Sequence, residues 1–298
     1  MKIHVSLIAA VVLSTGAGIS ALTAAGEDRL PQPQYEQTKQ VIALVEKAAE
    51  VLKREGPQAF SKFRRKNSEW FHGDSYVFVN DGKGKSLCHP FNPALEGTNL
   101  IDLEDVDGRR PTAMMIDTVS GKRAAGWVHY KWPRPEDATP SWKSSYVVRV
   151  KDSSGNEYFL GSGMYGMKVE KLFLVETVDE AARLVGQKGK EAFPILRDKA
   201  GQFRYMDVYV FVSDQKGNEL VSAGFPELEG TNLWDFKDAN GKLVVQAQIQ
   251  MLETKDAGWN DYMWPKPGET KPSQKLSYVR KLKSTDGFLY VGAGLYAD

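Results

Sequence analysis

The sequence predicts an α+β protein of two tandem domains, each a mostly antiparallel five-stranded sheet with a long N-terminal helix and a short helix. Three observations predict it. Gly126 to Val147 (GWVHYKWPRPEDATPSWKSSYV) returns without a gap as Gly258 to Val279 (GWNDYMWPKPGETKPSQKLSYV), identical at twelve of twenty-two positions. The β-branched and aromatic run Tyr76 to Asp81 returns as Tyr209 to Asp214, and Leu95-Glu-Gly-Thr-Asn-Leu100 returns unchanged as Leu228 to Leu233. The repeat distance, about 130 residues, is far longer than the roughly 20–50 of a solenoid unit, so a whole domain has been duplicated. A length of 298 residues agrees with two domains.

Each element has a local cause. From Tyr35 to about Arg65 the apolar residues Val41, Leu44, Val45, Ala48, Val51, Leu52, Ala59, Phe60 and Phe63 recur at three- and four-residue steps, which predicts an amphipathic helix interrupted at Gly56-Pro57. Its face is a possible homodimer surface. Tyr76 to Asp81 ends in Asp-Gly and turns into Lys85 to His89 as a hairpin. Pro90 and Pro93 break regular structure, and Leu95 to Leu100 forms a loop. Pro111 to about Lys122 reads as a short helix. Strands follow at Trp127 to Trp132, Ser145 to Lys151 and Tyr158 to Gly161, closed by Gly161-Ser-Gly163 and Tyr165. The second copy keeps this order: Gly189, Ala192 and Phe193 answer Gly56, Ala59 and Phe60, and Gly292, Gly294 and Tyr296 close the unit. The boundaries expected are a signal peptide at 1–25 and domains at 35–167 and 168–298.

Composition narrows the function. An apolar content of 42% and a net charge of +1 describe a globular chain without a broad basic face, which argues against a nucleic-acid partner. Lys2, the apolar run Val5 to Leu13 and the small residues through Ala24-Ala25-Gly26 have the layout of a cleaved secretory signal peptide. An uncleaved anchor is the alternative, but the apolar core is short of the ~20 residues that span a bilayer. The mature chain is therefore expected to be soluble and periplasmic or secreted. Cys88, the one cysteine, cannot form an internal disulfide, and its counterpart Val221 marks an apolar position.

Catalytic motifs are missing from the sequence. His4, His72, His89 and His129 stand at no metal-ligand spacing, and there is no Gly-x-Ser-x-Gly elbow. Gly84-Lys85-Ser86 lacks the upstream glycine of a phosphate loop, where Val79 stands. Asp105-Val-Asp107-Gly108 and Asp238-Ala-Asn240-Gly241 resemble calcium loops, but Leu103 and Met114 occupy positions that would need acids, so turns are expected. No enzyme, metal or cofactor is implied.

What remains is a binding surface. Side chains alternate along a strand, so Tyr130 and Trp132 share a face, Lys143 and Ser145 share a face, and Ser144 and Tyr146 point the other way. Lys143 recurs as Lys275 although its neighbours Trp142 and Ser144 become Gln274 and Leu276. A lysine among tyrosine hydroxyls and an indole N–H offers donors and few acceptors, which suits an anion such as a carboxylate. The competing reading takes these aromatics as core and the chain as an interaction or structural protein with vestigial pockets, its long helix the partner surface.

These motifs, Tyr-Val-Phe-Val-x-Asp, Pro-x-Leu-x-Gly-x-Asn-Leu, Gly-Trp-x-x-Tyr-x-Trp-Pro-x-Pro, Lys-x-Ser-Tyr-Val and Gly-x-Gly-x-Tyr, resemble the single Cache domains of type 2 found in bacterial chemoreceptors and sensor kinases. The resemblance covers nearly all of the chain after residue 35, twice over. It implies a PAS-like extracytoplasmic sensory module that binds a small molecule, often a short organic acid, over the sheet. Carried over by position, the site residues are His89, Tyr130, Trp132, Lys143 and Tyr146 in the first copy and Tyr262, Trp264, Lys275 and Tyr278 in the second, with Trp127 and Trp259 of second rank. His89-Pro90 becomes Ser222-Ala223, so the first pocket is the one expected to be filled if only one is. The sequence shows no second membrane helix, kinase or methyl-accepting region, which implies a separate membrane-bound sensor kinase or chemoreceptor as partner.

Overall fold

A computed structural model describes residues 30–121, 123–135 and 139–297; the expected signal peptide lies outside the described residues. Both copies of the repeat fall within one compact unit, Pro31–Asp298. The first copy runs α1 (Glu36–Glu55), α2 (Phe60–Phe63), β1 (Phe71–His72), β2 (Ser75–Tyr76), β3 (Phe78–Asp81), β4 (Ser86–Cys88), α3 (Pro111–Ser120), β5 (Ala125–Pro133), β6 (Pro140–Lys151) and β7 (Glu157–Tyr165). The second runs α4 (Lys171–Lys188), α5 (Phe193–Arg197), β8 (Arg204–Tyr205), β9 (Val208–Asp214), β10 (Glu219–Ser222), α6 (Val244–Thr254), β11 (Ala257–Pro265), β12 (Pro272–Ser284) and β13 (Gly287–Tyr296).

The sheets are antiparallel and ordered alike, β4-β3-β7-β6-β5 and β10-β9-β13-β12-β11, with β8 added beside β9. In the first, Tyr130 pairs with Lys143 and Lys143 with Tyr165; in the second, Tyr262 pairs with Lys275 and Lys275 with Tyr296. Strands β6 and β7 are longer than the sequence predicts because Gly161 and Gly163 continue the ladder instead of ending it. A Cβ on Gly163 would stand 2.4 Å from the Ser145 hydroxyl, and one on Gly161 2.8 Å from the ring of Phe78. The glycines thus clear space on the sheet face that carries Lys143.

Helix α1 is amphipathic as expected. It buries Thr38, Val41, Val45, Ala48 and Leu52 against β6 and β7, and it stops at Gly56, whose φ of 55° closes the last turn. Helix α4 differs in being buried on two sides, through Leu172, Phe173, Leu174 and Val175 as well as Val178, Ala181, Ala182 and Val185. It lies on β12 and β13 of its own half and also on β5 of the first. Around it the halves are bonded directly: Glu176 accepts the Trp127 N–H at 3.0 Å, and the buried Arg109 donates to the carbonyls of Lys199 and Arg204, each at 2.9 Å.

Two recurrent motifs prove to be scaffolding. Glu96 of the first Leu-Glu-Gly-Thr-Asn-Leu loop accepts the His89 N–H and pairs with Arg64; Glu229 of the second accepts the Ser222 N–H and pairs with Arg197. Asp105 accepts the N–H groups of Asp107, Arg109 and Lys131, and Asp238 those of Asn240, Lys242 and Met263. The calcium-like sequences are therefore turns that tie a loop to β5 and β11.

Candidate functional site

In each half one sheet face is roofed by the short helix, α3 or α6, and a lysine is buried beneath. Lys143 is 0% exposed and Lys275 1%. Such placement is costly for a charged group unless something compensates it. Burial accordingly lowers both ammonium groups from the usual lysine value to about 7.

The two lysines are compensated differently. Lys275 Nζ donates to the Tyr209 hydroxyl at 2.7 Å. Among the described residues Lys143 Nζ has no hydrogen-bond partner; it sits 3.9 Å from the ring centre of Tyr76 and 5.1 Å from that of Tyr165, a cation–π contact. The Lys275 stem needs its closing glycine: a Cβ on Gly294 would come 2.4 Å from Lys275 Cε.

Four of the five residues expected in the first half come together. His89 lies 6.3 Å from Trp132 between ring centres, Trp132 lies 5.9 Å from Tyr130, and Tyr130 bonds Ser145 at 2.9 Å beside Lys143. His89 takes the Asn92 N–H on Nδ1 at 3.0 Å, and burial, reinforced by the Lys143 charge, pushes its imidazole down to about 4. This half is well filled: the Tyr76 and His89 rings pack tilted at 5.2 Å, and those of Tyr76 and Phe91 at 5.8 Å.

In the second half Tyr262, Trp264 and Lys275 line a cavity with about 370 Å³ of empty space, part of it continuous with solvent. The cavity opens because small or polar residues stand where the first half has bulky ones. Ser222 stands at the His89 position, Gly224 at Phe91 and Gln248 at Met115. The indole N–H of Trp264 is buried and has no hydrogen-bond partner among the described residues.

Tyr146 and Tyr278 must be removed from the site. Tyr146 packs on Trp127, with ring centres 5.4 Å apart, and Tyr278 on Trp259 at 5.0 Å, on the face opposite the lysines. Each tyrosine stands three positions after its lysine, and strand alternation sends an odd offset across the sheet. Trp127 and Trp259 share that far face, and Trp127 packs against Phe173 of α4 at 4.8 Å.

Sequence reasoning missed Tyr209 and Glu219. Tyr209 was legible as strand, but 66 residues separate it from Lys275. Glu219 is 6% exposed and bonds the Ser213 hydroxyl at 2.5 Å; burial pushes it up to about 8. Its counterpart in the first half is Ser86, so a search for recurring residues passes over it. Among the described residues no group of three or more His, Cys, Asp or Glu is arranged to hold a metal, and burial pushes the Cys88 thiol up to about 12.

Each half thus places a helix over one sheet face with a buried ammonium beneath it. The chain belongs to the Cache domain family: the family model described as Cache domain matches residues 20–180, and that described as Single Cache domain 2 matches residues 171–298. Cache domains are extracytoplasmic, and the fold binds ligands rather than carrying out catalysis. Among curated relatives, the methyl-accepting chemotaxis protein McpP of Pseudomonas putida is 29% identical over 194 residues, 62% of this chain and 34% of that protein. The sensor histidine kinase MctS of Rhizobium johnstonii is 34% identical over 93 residues, 31% of this chain and 19% of that protein. The chain thus spans about a third or less of the length of these relatives. A solved Cache chemosensory domain, described in terms of carboxylic acid recognition, is 25% identical with a TM-score of 0.38, covering 42% of this chain and 91% of that one. No helix among the described residues is long and apolar enough to cross a membrane.

Proposed function

We propose that this chain is a periplasmic sensory protein that binds a short organic acid and passes its occupancy to a membrane-bound chemoreceptor or sensor kinase. The observation that carries the reading is the Lys275 ammonium, fully buried, held by Tyr209 and facing an open cavity beside an unpaired indole donor. A carboxylate entering there gains charge-assisted bonds and relieves the burial cost of the ammonium. Lys143, with Tyr130, Trp132 and His89, forms a second and tighter version of the same site.

The rest of the reading follows from the family and its relatives. A leader cleaved near residue 25 delivers the domains at 35–167 and 168–298 to the periplasm, and the relatives McpP and MctS supply the kind of receptor that reads them. If two copies pair along the N-terminal helices, they use the outer face of α1, because α4 is held between the halves. Thermal melting with a library of short acids tests the proposal, since a ligand bound to the native state raises the melting temperature. At least one two- to four-carbon acid is expected to do so. A melting temperature unmoved by any of them would contradict it.

A further inference from the structure

We propose that the cavity of the second half is specific for a small acid carrying a hydrogen-bond donor on the carbon next to its carboxylate, and that Glu219 is the residue that reads this donor. The inference rests on the organic-acid reading above and assigns the ligand class of one of its two sites.

Lys275 on β12 and Glu219 on β10 line one cavity from different strands. They act on each other through their charges but share no hydrogen bond: Lys275 bonds the Tyr209 hydroxyl, and Glu219 bonds the Ser213 hydroxyl. Burial keeps Glu219 protonated near neutral pH, and Ser213 and Ser222 both reach it, yet a carboxyl group so held still has acceptor capacity to spare on its carbonyl oxygen. Nothing in the fold asks for an acid at this place, because β4 of the first half carries Ser86 at the same position, paired with Asn80 as Glu219 is with Ser213. A buried carboxylate is costly, so an acid kept where serine suffices points to a use. Gln248 and Ser222, replacing Met115 and His89, make the same cavity polar at two further points.

An unsubstituted acid fits this lining poorly. Its carboxylate would take the donors of Lys275, Tyr209 and Trp264, but its carbon atoms would face the oxygens of Glu219 and leave them without a partner. A hydroxyl or ammonium on the adjacent carbon turns that face into a bond, and a site with a buried acceptor then rejects the analogue lacking the donor. The first half, with Ser86, Met115 and His89 at these places, lacks that discriminator.

The test uses the full chain carrying Lys143→Met, so that the heat of binding comes from the second cavity. Propionate, lactate and alanine share a three-carbon skeleton and differ at one substituent. Isothermal titration should find lactate or alanine bound at least about tenfold more tightly than propionate, a difference worth about 1.4 kcal/mol. Lactate ahead of alanine assigns a hydroxyl and the reverse assigns an ammonium. Glu219→Met, which removes the acceptor, with Glu219→Ser as the variant that restores the residue of the first half, should cut the preference to less than about threefold, or about 0.7 kcal/mol. Propionate bound as tightly as both others, or a preference that survives in whichever variant melts cooperatively, overturns the proposal. If propionate is bound in a manner lost with Lys275→Met yet no preference is seen, the organic-acid reading stands and only this inference fails; no binding of any of the three overturns both.

Discussion

The imidazole of His129, in the first half, stacks on the phenol ring of Tyr205, in the second, with centroids 4.0 Å apart and planes 17° from parallel. Both side chains are anchored within their own halves: His129 Nδ1 shares a hydrogen bond with the Ser144 hydroxyl at 2.8 Å, and the Tyr205 hydroxyl shares one with Thr177 at 3.1 Å. With Phe173 4.8 Å from His129, the first sheet's outer face and the second half's first helix form one packed layer.

Tyr205→Ala should therefore destabilise the whole chain, by about 3–5 kcal/mol as for a buried aromatic truncation. Tyr205→Phe keeps the stack, loses only the bond to Thr177, and should cost about 1 kcal/mol. Urea unfolding followed by tryptophan fluorescence measures both. Equal costs for the two variants would show that the hydroxyl, not the stack, holds the halves together.

Burial pushes His129 down to about 3, against an ordinary histidine value of 6.5. Between those values the unfolded chain binds the proton and the folded chain does not, so this residue makes stability fall as pH falls from about 6.5. His129→Phe preserves an aromatic partner for Tyr205 and removes the titration. Relative to the wild type, the variant should gain about 1.4 kcal/mol per pH unit between pH 6 and pH 4. Parallel stability curves would place the imidazole in water.

Gly294 makes room for the lysine of the second cavity, where an added Cβ would lie 2.4 Å from Lys275 Cε and 2.5 Å from the Ser277 hydroxyl. Gly294→Ala should cost about 1–3 kcal/mol through overpacking and should weaken acid binding further by displacing the ammonium. Gly268, in an exposed turn with φ of 83° and open space around it, is a control: alanine there strains the backbone and should leave binding unchanged. Binding retained in Gly294→Ala would remove the glycine from the site.

Most of the architecture was legible because the repeat supplies each element twice, and period-two and period-3.6 patterns survive in both copies. Strand ends were less so: Gly161 and Gly163 read as terminators, yet they continue β7 because the lysine face needs their missing side chains. The lysines, Tyr130, Trp132, Tyr262 and Trp264 stand out in the sequence through their recurrence, and they share one face in each half. Tyr146 and Tyr278 recur equally well but for packing on the far face, which shows that recurrence without parity does not select a site. Glu219 failed the opposite way, since what makes one pocket differ from its twin is by nature not repeated.

Acid binding in the second cavity should depend on pH through Lys275. Its folded value of about 7 means that the ammonium is complete at pH 6 and mostly neutral at pH 8. A carboxylate ligand binds the charged form, so affinity should fall about tenfold per pH unit above pH 7. Glu219, held up to about 8 by burial, acts in the same direction by adding a like charge on losing its proton. Titrations at pH 6, 7, 8 and 9 give the profile; a flat one would mean that the lysine is not the anchor.

The measurement that tests the central claim most directly is isothermal titration of acetate, propionate, pyruvate and lactate into the wild-type chain, Lys275→Met and Lys143→Met. At least one acid should bind the wild type, and Lys275→Met should weaken it by about 10–100-fold, the value of a hydrogen bond to a charged group. Equal affinities in the wild type and both lysine variants would contradict the account.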